Sequence, residues 1–543
     1  MPRFVYPELP LDGLLRRAAV RDPAGRAIRT ATGAGVTTTV TFAELDARAD
    51  RFAAYLEHTL GRRGARIGVA NVLDPVFAAA YYGTVRSGNT VVLVNPLIKE
   101  AGLVHVLRTA EVEVAFVPAG TAELLAKLGD RLPHLRSVVV TDAPDGVVPG
   151  DAVPLAVVLE SAPERTELPG AVDLDGDACI QFTTGTTGRP KGVRLTHRNL
   201  VANAAQTAAA HDLGSDSVTL NHLPLYHVMH LNSGVYAGAC QVLCTDPDPV
   251  ASLAAAERAE ATHYYGLPAR LHRLAQDERL THDFPAGRRL TAVLSGGTAL
   301  SPTAARTLRA RLGVPVIQGY GLAELSPLSH CQDPHHPKSG SVGAAVPGTE
   351  CRIVAVDSST PLDVYATGEV QVRGPQVMAG YLDDSLPPPV DSDGWFATGD
   401  IGYVGEDGVL FLVDRLDDVF KYDNELVSPS GVEDVIGADP RVAECIVAGW
   451  PDPVHGALVW TGIVLRDPTA PGLLDVVDSI VERANARLND FEQIRRVEVL
   501  DAVPRNHVGK PERRALRQSL RGRAAAEAAA AAGGPPPPVG PAA

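Results

Sequence analysis

Residues 181–199 read QFTTGTTGRPKGVRLTHRN. An apolar run, ACIQF, leads into a stretch of Thr and Gly that ends at Lys191. Such a loop offers open backbone N–H groups, several hydroxyls and one ammonium, the donor set that a polyphosphate needs. It is not the Walker arrangement GxxxxGK[ST], because Lys191 follows Pro190 and precedes Gly192 and Val193. Beyond it VRLTH reads as a strand, with Thr196 as the candidate N-cap of a following helix. Lysine usage adds a hint. Only six of the 49 basic residues are Lys: Lys99, Lys127, Lys191, Lys338, Lys421 and Lys510. A chain that uses Arg for generic positive charge keeps Lys where a compact, flexible ammonium fits and a planar guanidinium does not. Lys191, Lys421 and Lys510 fall in three of the most distinctive segments.

Alternating helix and strand signals surround this loop. Residues 14–20 and 42–60 carry amphipathic helical periodicity, and 66–72, 90–94, 112–117 and 137–141 read as short buried strands. Strands spaced by helices predict a parallel α/β sheet. Residues 142–169, rich in Gly, Pro and Asp, read as a surface excursion. The α/β rhythm returns over 178–330. Over 340–415 short strands separated by Gly and Pro predict a small β-rich subdomain. After Asp417, helices at 431–436 and 473–488 and strands at 443–448, 458–465 and 495–500 predict a compact α+β unit. The end, RAAAEAAAAAGGPPPPVGPAA, is low-complexity and is predicted to be disordered.

Composition excludes several classes. The 543 residues carry 49 basic and 64 acidic side chains, a net charge of −15, which argues against a nucleic-acid binder. At 45% apolar the chain is not wholly disordered. No run approaches the roughly 20 apolar residues that cross a bilayer. The start, MPRFVYPELPLDGLLRR, lacks the apolar core of a secretory signal. Six cysteines form no CxxC pair and no disulfide framework, so the expected setting is reducing and cytoplasmic. His222, His230 and His263 lack paired metal-ligand spacing.

TTGTTGRPKG resembles the phosphate loop of the adenylate-forming superfamily, which includes acyl-CoA synthetases, coumarate-type ligases, luciferases and peptide-synthetase adenylation domains. Six further segments resemble the family in order: LPLYHVMHLNS (223–233), LSGGTAL (294–300), QGYGLAE (318–324), GWFATGD (394–400), VDRLDDVFKYDNELVSP (413–429) and PRNHVGKPERRAL (504–516). The resemblance implies an α/β fold: a large N-terminal domain of two α/β subdomains plus the β-rich one, and a small mobile α+β C-terminal domain. It implies an AMP-binding domain at 1–414, a hinge at 415–417, a lid at 418–523 and a tail at 524–543.

The implied chemistry has two halves. A carboxylate attacks the α-phosphate of ATP and expels pyrophosphate. A thiol, often that of CoA, then displaces AMP. The first half brings an anion to a polyanion, so repulsion must be cancelled and the groups aligned. By resemblance, Thr183, Thr184, Gly185, Thr186, Thr187, Gly188 and Lys191 would hold the β- and γ-phosphates. Glu324 would ligate Mg²⁺, which favours one or two carboxylates plus substrate phosphates. Gly297, Thr298, Gln318, Gly319, Tyr320 and Gly321 would line the adenine slot. Asp400 would accept from the ribose hydroxyls, supported by Arg415. Lys510 would bridge carboxylate and α-phosphate, Lys421 would contact nucleotide and intermediate, His227 would stand beside the carboxylate, and Asp417 would be the hinge. Met229, His230, Ser233, Pro327 and Leu328 match pocket-lining positions.

Four positions depart from the family pattern. Ala323 replaces a Thr that hydrogen-bonds the AMP phosphate, a loss on the order of 1–3 kcal/mol. Asn424 replaces a Gly beside the pantetheine tunnel, Leu426 replaces a polar residue, and Gly431 replaces a helix-starting Glu. Three of these four lie around the second half-reaction. The expected partners are a small carboxylate, ATP and CoA. A carrier-protein thiol, a nitrogen nucleophile or an unusual anion such as nitrite are the alternatives. His230, standing where relatives have Ala or Gly, predicts an aryl or medium-length acid over a long fatty acid.

Overall fold

The computed structural model describes residues 4–143, 146–160, 172–183, 190–222, 225–281, 289–356, 358–423, 425–469, 472–505 and 511–531. The chain divides into two compact units. The first comprises Met1–Arg352, Gln371–Thr398 and Val404–Phe411, and the second Ile353–Val370, Gly399–Tyr403 and Leu412–Ala543. The division follows contacts rather than chain order, so two short stretches before residue 404 group with the C-terminal part. The sequence expectation had placed one boundary at 414–418.

In the first unit, one sheet runs in the order 380–381, 191–196, 177–183, 90–94, 66–70, 114–117, 137–140 and 153–154. Its inner strands are parallel, and 177–183, 191–196 and 380–381 pair antiparallel at one end. Strands such as Val114–Val117 are buried throughout, as a sheet covered on both faces requires. A second sheet places 240–244, 218–222, 263–266, 292–295 and 316–321 side by side in parallel, followed by 328–331 and 343–345 antiparallel. Helix Phe42–Leu60 matches the periodicity of the sequence and begins with a capping box at Thr41. Helix His197–Ala210 begins with another at Thr196, so the strand–cap–helix reading of VRLTH holds.

The second unit contains a sheet ordered 425–427, 420–422, 456–465 and 442–452, with 494–499 pairing parallel to 456–465. Helices Pro429–Gly437 and Leu473–Asn485 cover a core of Val432, Ile436, Val459, Ile463, Val477 and Ile480. Two local expectations change. The excursion at 142–169 carries an edge strand, Val153–Pro154, and a short helix, Leu155–Glu160. Helix Arg513–Ala531 runs into the segment expected to begin a disordered tail at 524. Alanine is the strongest helix former, so its run extends a helix that is already nucleated. No helix among the described residues is long and apolar enough to cross a membrane.

Candidate active site

The register of strands Asp177–Thr183 and Lys191–Thr196 pairs Thr183 with Lys191. The two ends of the Thr/Gly segment are thereby held side by side. Thr184, Gly185, Thr186, Thr187 and Gly188 lie outside the described residues. Lys191 Nζ stands over the ring of Tyr381, 5.1 Å from its centroid. The Tyr381 hydroxyl donates to Glu324 Oε1 at 3.1 Å. The other Glu324 oxygen has no hydrogen-bond partner among the described residues. Burial, and then the Glu324 carboxylate, push the Tyr381 phenol up, so it remains a protonated donor. Backbone pairing sets this contact. Tyr381 is the register partner of Val193 and Gly380 that of Arg194. Leu382 N donates to the Gly192 carbonyl at 2.7 Å and Met378 N to the Glu324 carbonyl at 2.9 Å.

Gln318, Gly319, Tyr320 and Gly321 form the end of strand Val316–Gly321. Gln318 Oε1 accepts from Leu300 N at 2.8 Å, and Gln318 N donates to Gln332 Oε1 at 3.0 Å. One residue thus fastens the loop carrying Gly297 and Thr298 to the strand. Gly297 has φ +92°, and both it and Thr298 are exposed. At Gly321 a Cβ would stand 1.7 Å from the Pro327 carbonyl oxygen, so no side chain fits. Tyr320 is largely buried, its ring 5.9 Å from that of His330.

His227 is the N-cap of helix Val228–Ala237, its Nδ1 accepting from Met229 N at 3.2 Å. Burial pushes this imidazole down to about 4, so it is neutral at neutral pH. His230 Nδ1 bonds Asn221 Oδ1 at 2.8 Å, and the ring stacks on Tyr265 at 4.1 Å between centroids. Tyr265 in turn bonds His211 Nδ1 at 2.9 Å. Met229 packs against a buried cluster that includes Tyr265, Ile317 and Leu328. Pro327 immediately precedes strand Leu328–Cys331. Ser233 is fully buried and donates to the His230 carbonyl, so its hydroxyl is engaged within its own helix. His222 and His263 are bonded to core partners, Tyr264 and the His211 carbonyl.

Within the second unit, buried Asp400 pairs with Arg415 at 2.8 Å. Burial raises the carboxyl of Glu369, and the charge of Asp400 adds to this. Lys421 is exposed on strand Phe420–Tyr422. Asp417 is exposed in a turn whose two flanks are tied down. Asp414 accepts from Ser428 Oγ at 3.1 Å and from Ser430 N at 2.9 Å. Asp418 pairs with Arg517 and Arg513. Arg513 also donates to Glu433 Oε2 at 2.7 Å and to the Val447 carbonyl at 3.2 Å. Lys510 and Asn424 lie outside the described residues. Sequence reasoning missed Tyr381 and the Asp414, Asp418, Glu433 and Arg513 anchors. Their partners lie 14 or more residues away, and no local periodicity or spacing marks them. Among the described residues, no group of three or more His, Cys, Asp or Glu could hold a metal ion by itself.

Comparisons with known proteins identify the family. A family model described as AMP-binding enzyme matches residues 15–382, and one described as AMP-binding enzyme C-terminal domain matches 431–510. The chain is 32% identical over 531 residues to 4-coumarate–CoA ligase 2 of Oryza sativa subsp. japonica, covering 93% of this chain and 91% of that protein. It is 32% identical over 517 residues to a long-chain-fatty-acid–CoA ligase of Yersinia pestis, covering 88% and 89%. It is also similar to the solved O-succinylbenzoate coenzyme A synthetase of Bacillus subtilis in complex with ATP and magnesium ion. That match has a TM-score of 0.78 at 25% identity and covers 94% of this chain and 99% of the other. The chain belongs to the AMP-binding enzyme family and is an acyl-CoA synthetase-like ligase, the adenylate-forming class to which its loop pointed.

Proposed function

We propose that the protein joins a carboxylic acid to ATP as an acyl-adenylate and then passes the acyl group to the thiol of CoA. In the first step a carboxylate oxygen bonds to the α-phosphorus and the bond to the β-phosphate bridging oxygen breaks, releasing pyrophosphate. In the second the thiol sulfur, having lost its proton to solvent, bonds to the acyl carbon and AMP leaves. The observation that carries the reading is the Lys191–Tyr381–Glu324 constellation beside the paired ends of the Thr/Gly segment. It presents an ammonium and a carboxylate where a metal-bound triphosphate needs both.

Thr183, Lys191 and residues 184–188 would bind the outer phosphates. Glu324 fits Mg²⁺: it is a hard donor with one oxygen open, and the ion takes the rest of its shell from phosphate and water. Bound there, the ion would supply positive charge that offsets the negative charge of the triphosphate. Gln318 fixes the adenine loop, and Asp400, oriented by Arg415, would accept from the ribose. His227, held neutral, would orient the acid by hydrogen bonding and not as a cation. Lys510 would stabilise charge between carboxylate and α-phosphate, and Lys421 would contact the nucleotide. The lid, roughly 418–523, would turn about Asp417 between the half-reactions.

The stacked and bonded His230 supports a compact, partly polar acyl pocket and hence an aryl or medium-length acid. The 4-coumarate and long-chain-fatty-acid ligase relatives are equally identical to this chain, so the choice of acid rests on His230. The test is an acid-by-acceptor screen, reading pyrophosphate release and the thioester by mass. Acid-dependent pyrophosphate release with a CoA thioester supports the reading. No release with any acid overturns it, and release with no thioester overturns the choice of CoA.

A further inference from the structure

We propose that Tyr381 is a positioning residue: it holds the metal-directed carboxylate at its hydroxyl and the phosphate-directed ammonium over its ring face. This rests on the roles given above to Glu324 and Lys191. The phenol oxygen is 3.1 Å from Glu324 Oε1, while Lys191 Nζ is 5.1 Å from the ring centroid. Strand pairing with 191–196 fixes the backbone of residue 381 beside both Lys191 and the segment bearing Glu324.

The physical need is clear. A Lys and a Glu that both face one phosphate site attract each other, and a direct ion pair would occupy both before ATP arrives. Tyr381 prevents that collapse without neutralising either charge. Its hydroxyl occupies one carboxylate oxygen and leaves the other open. Its ring face offers the ammonium an attraction weaker than an ion pair, so a phosphate can recruit the Lys easily. Among the described residues no ion pair joins Lys191 to Glu324. Held apart in this way, Glu324 would hold Mg²⁺ and Lys191 would meet phosphate oxygens of the same nucleotide.

The test is equilibrium titration of the full chain with ATP alone, then with Mg²⁺ at fixed ATP, comparing wild type with Tyr381→Phe and Tyr381→Leu. Tyr381→Phe keeps the ring, so metal-free ATP affinity should stay within about twofold, while the Mg²⁺ midpoint should rise about tenfold for loss of a hydrogen bond to a charged group. Tyr381→Leu removes the ring as well and should also weaken metal-free ATP several-fold. In a Glu324→Gln background Tyr381→Phe should have little further effect on the Mg²⁺ midpoint, because the amide that the phenol still bonds no longer offers the metal a carboxylate. This cycle separates positioning from a general loss of folding, which would add in both backgrounds. A Mg²⁺ midpoint unchanged in Tyr381→Phe, or an effect that persists undiminished in Glu324→Gln, overturns the inference alone. A wild-type chain that binds no ATP overturns the functional reading and this inference together.

Discussion

His230 combines a ring stack on Tyr265 with a hydrogen bond to Asn221, so its imidazole is held by two independent contacts where a small residue would leave space. His230→Ala should therefore lengthen the acyl pocket. A series of acids of increasing length should show kcat/KM shifting toward longer members by about tenfold, the worth of one or two buried methylenes. An unchanged ranking would remove His230 from the pocket wall. The buried histidines make a second prediction. Burial lowers His222 and His227 to about 4 and His211 and His330 to about 3. In each case the unfolded chain takes up protons at a higher pH than the folded one. Their contribution is intact above about 6.5 and is lost as pH falls toward 4, at about 1.4 kcal/mol per pH unit for each. A thermal melt recorded between pH 7.5 and 4.5 should show the unfolding midpoint dropping steeply below 6.5. A flat profile would mean that these imidazoles are reachable by protons in the folded state.

At the level of elements, Lys191 and Thr196 were singled out because each sits inside a short run whose composition suggests a role, and Glu324 through the resemblance of QGYGLAE to the family. Tyr381 was not, because AGYL has no periodicity and its place comes from pairing with a strand nearly two hundred residues earlier. The same holds for helix Arg513–Ala531, whose first residue is clamped to Glu433 of helix Pro429–Gly437. Arg513 and Glu433 are both mostly buried, so removing one charge strands the other. Glu433→Gln should destabilise the protein by about 3 kcal/mol, read as a lowered unfolding midpoint. Because Arg513 begins the helix just beyond Lys510, that variant should also lose pyrophosphate release. Retention of wild-type stability would show that Asp418 alone suffices to hold Arg513. At Gly321, where a Cβ would overlap the Pro327 carbonyl, Gly321→Ala should displace the turn bearing Glu324 and raise the Mg²⁺ requirement.

For the molecule as a whole, the proposed division of labour lets one variant separate the half-reactions. Asp417 stands in an exposed turn between two anchored acids, Asp414 and Asp418. Anchored flanks confine backbone rotation to the few residues between them. Asp417→Pro should leave acid-dependent pyrophosphate release near wild type and reduce thioester formation at least about tenfold, since Pro fixes φ. Equal losses in both steps would place the pivot elsewhere. Lys510→Ala should do the reverse, abolishing pyrophosphate release while sparing thioester formation from a supplied acyl-adenylate.

Residue type and local order were enough to point to a polyphosphate loop, to the alternation of strands and helices and to the cap at Thr196, and the ligase chemistry came through the family resemblance. Hydroxyls, glycines and one ammonium within ten residues suit a polyphosphate, and period and cap signals are read within a few neighbours. The tertiary structure alone decided which distant side chains share a charge. Tyr381 reached Lys191 and Glu324, Arg513 reached Glu433, and the alanine run became helix through such placements. Strand register and buried ion pairing are sums over many weak long-range contacts, and no single stretch of chain contains them.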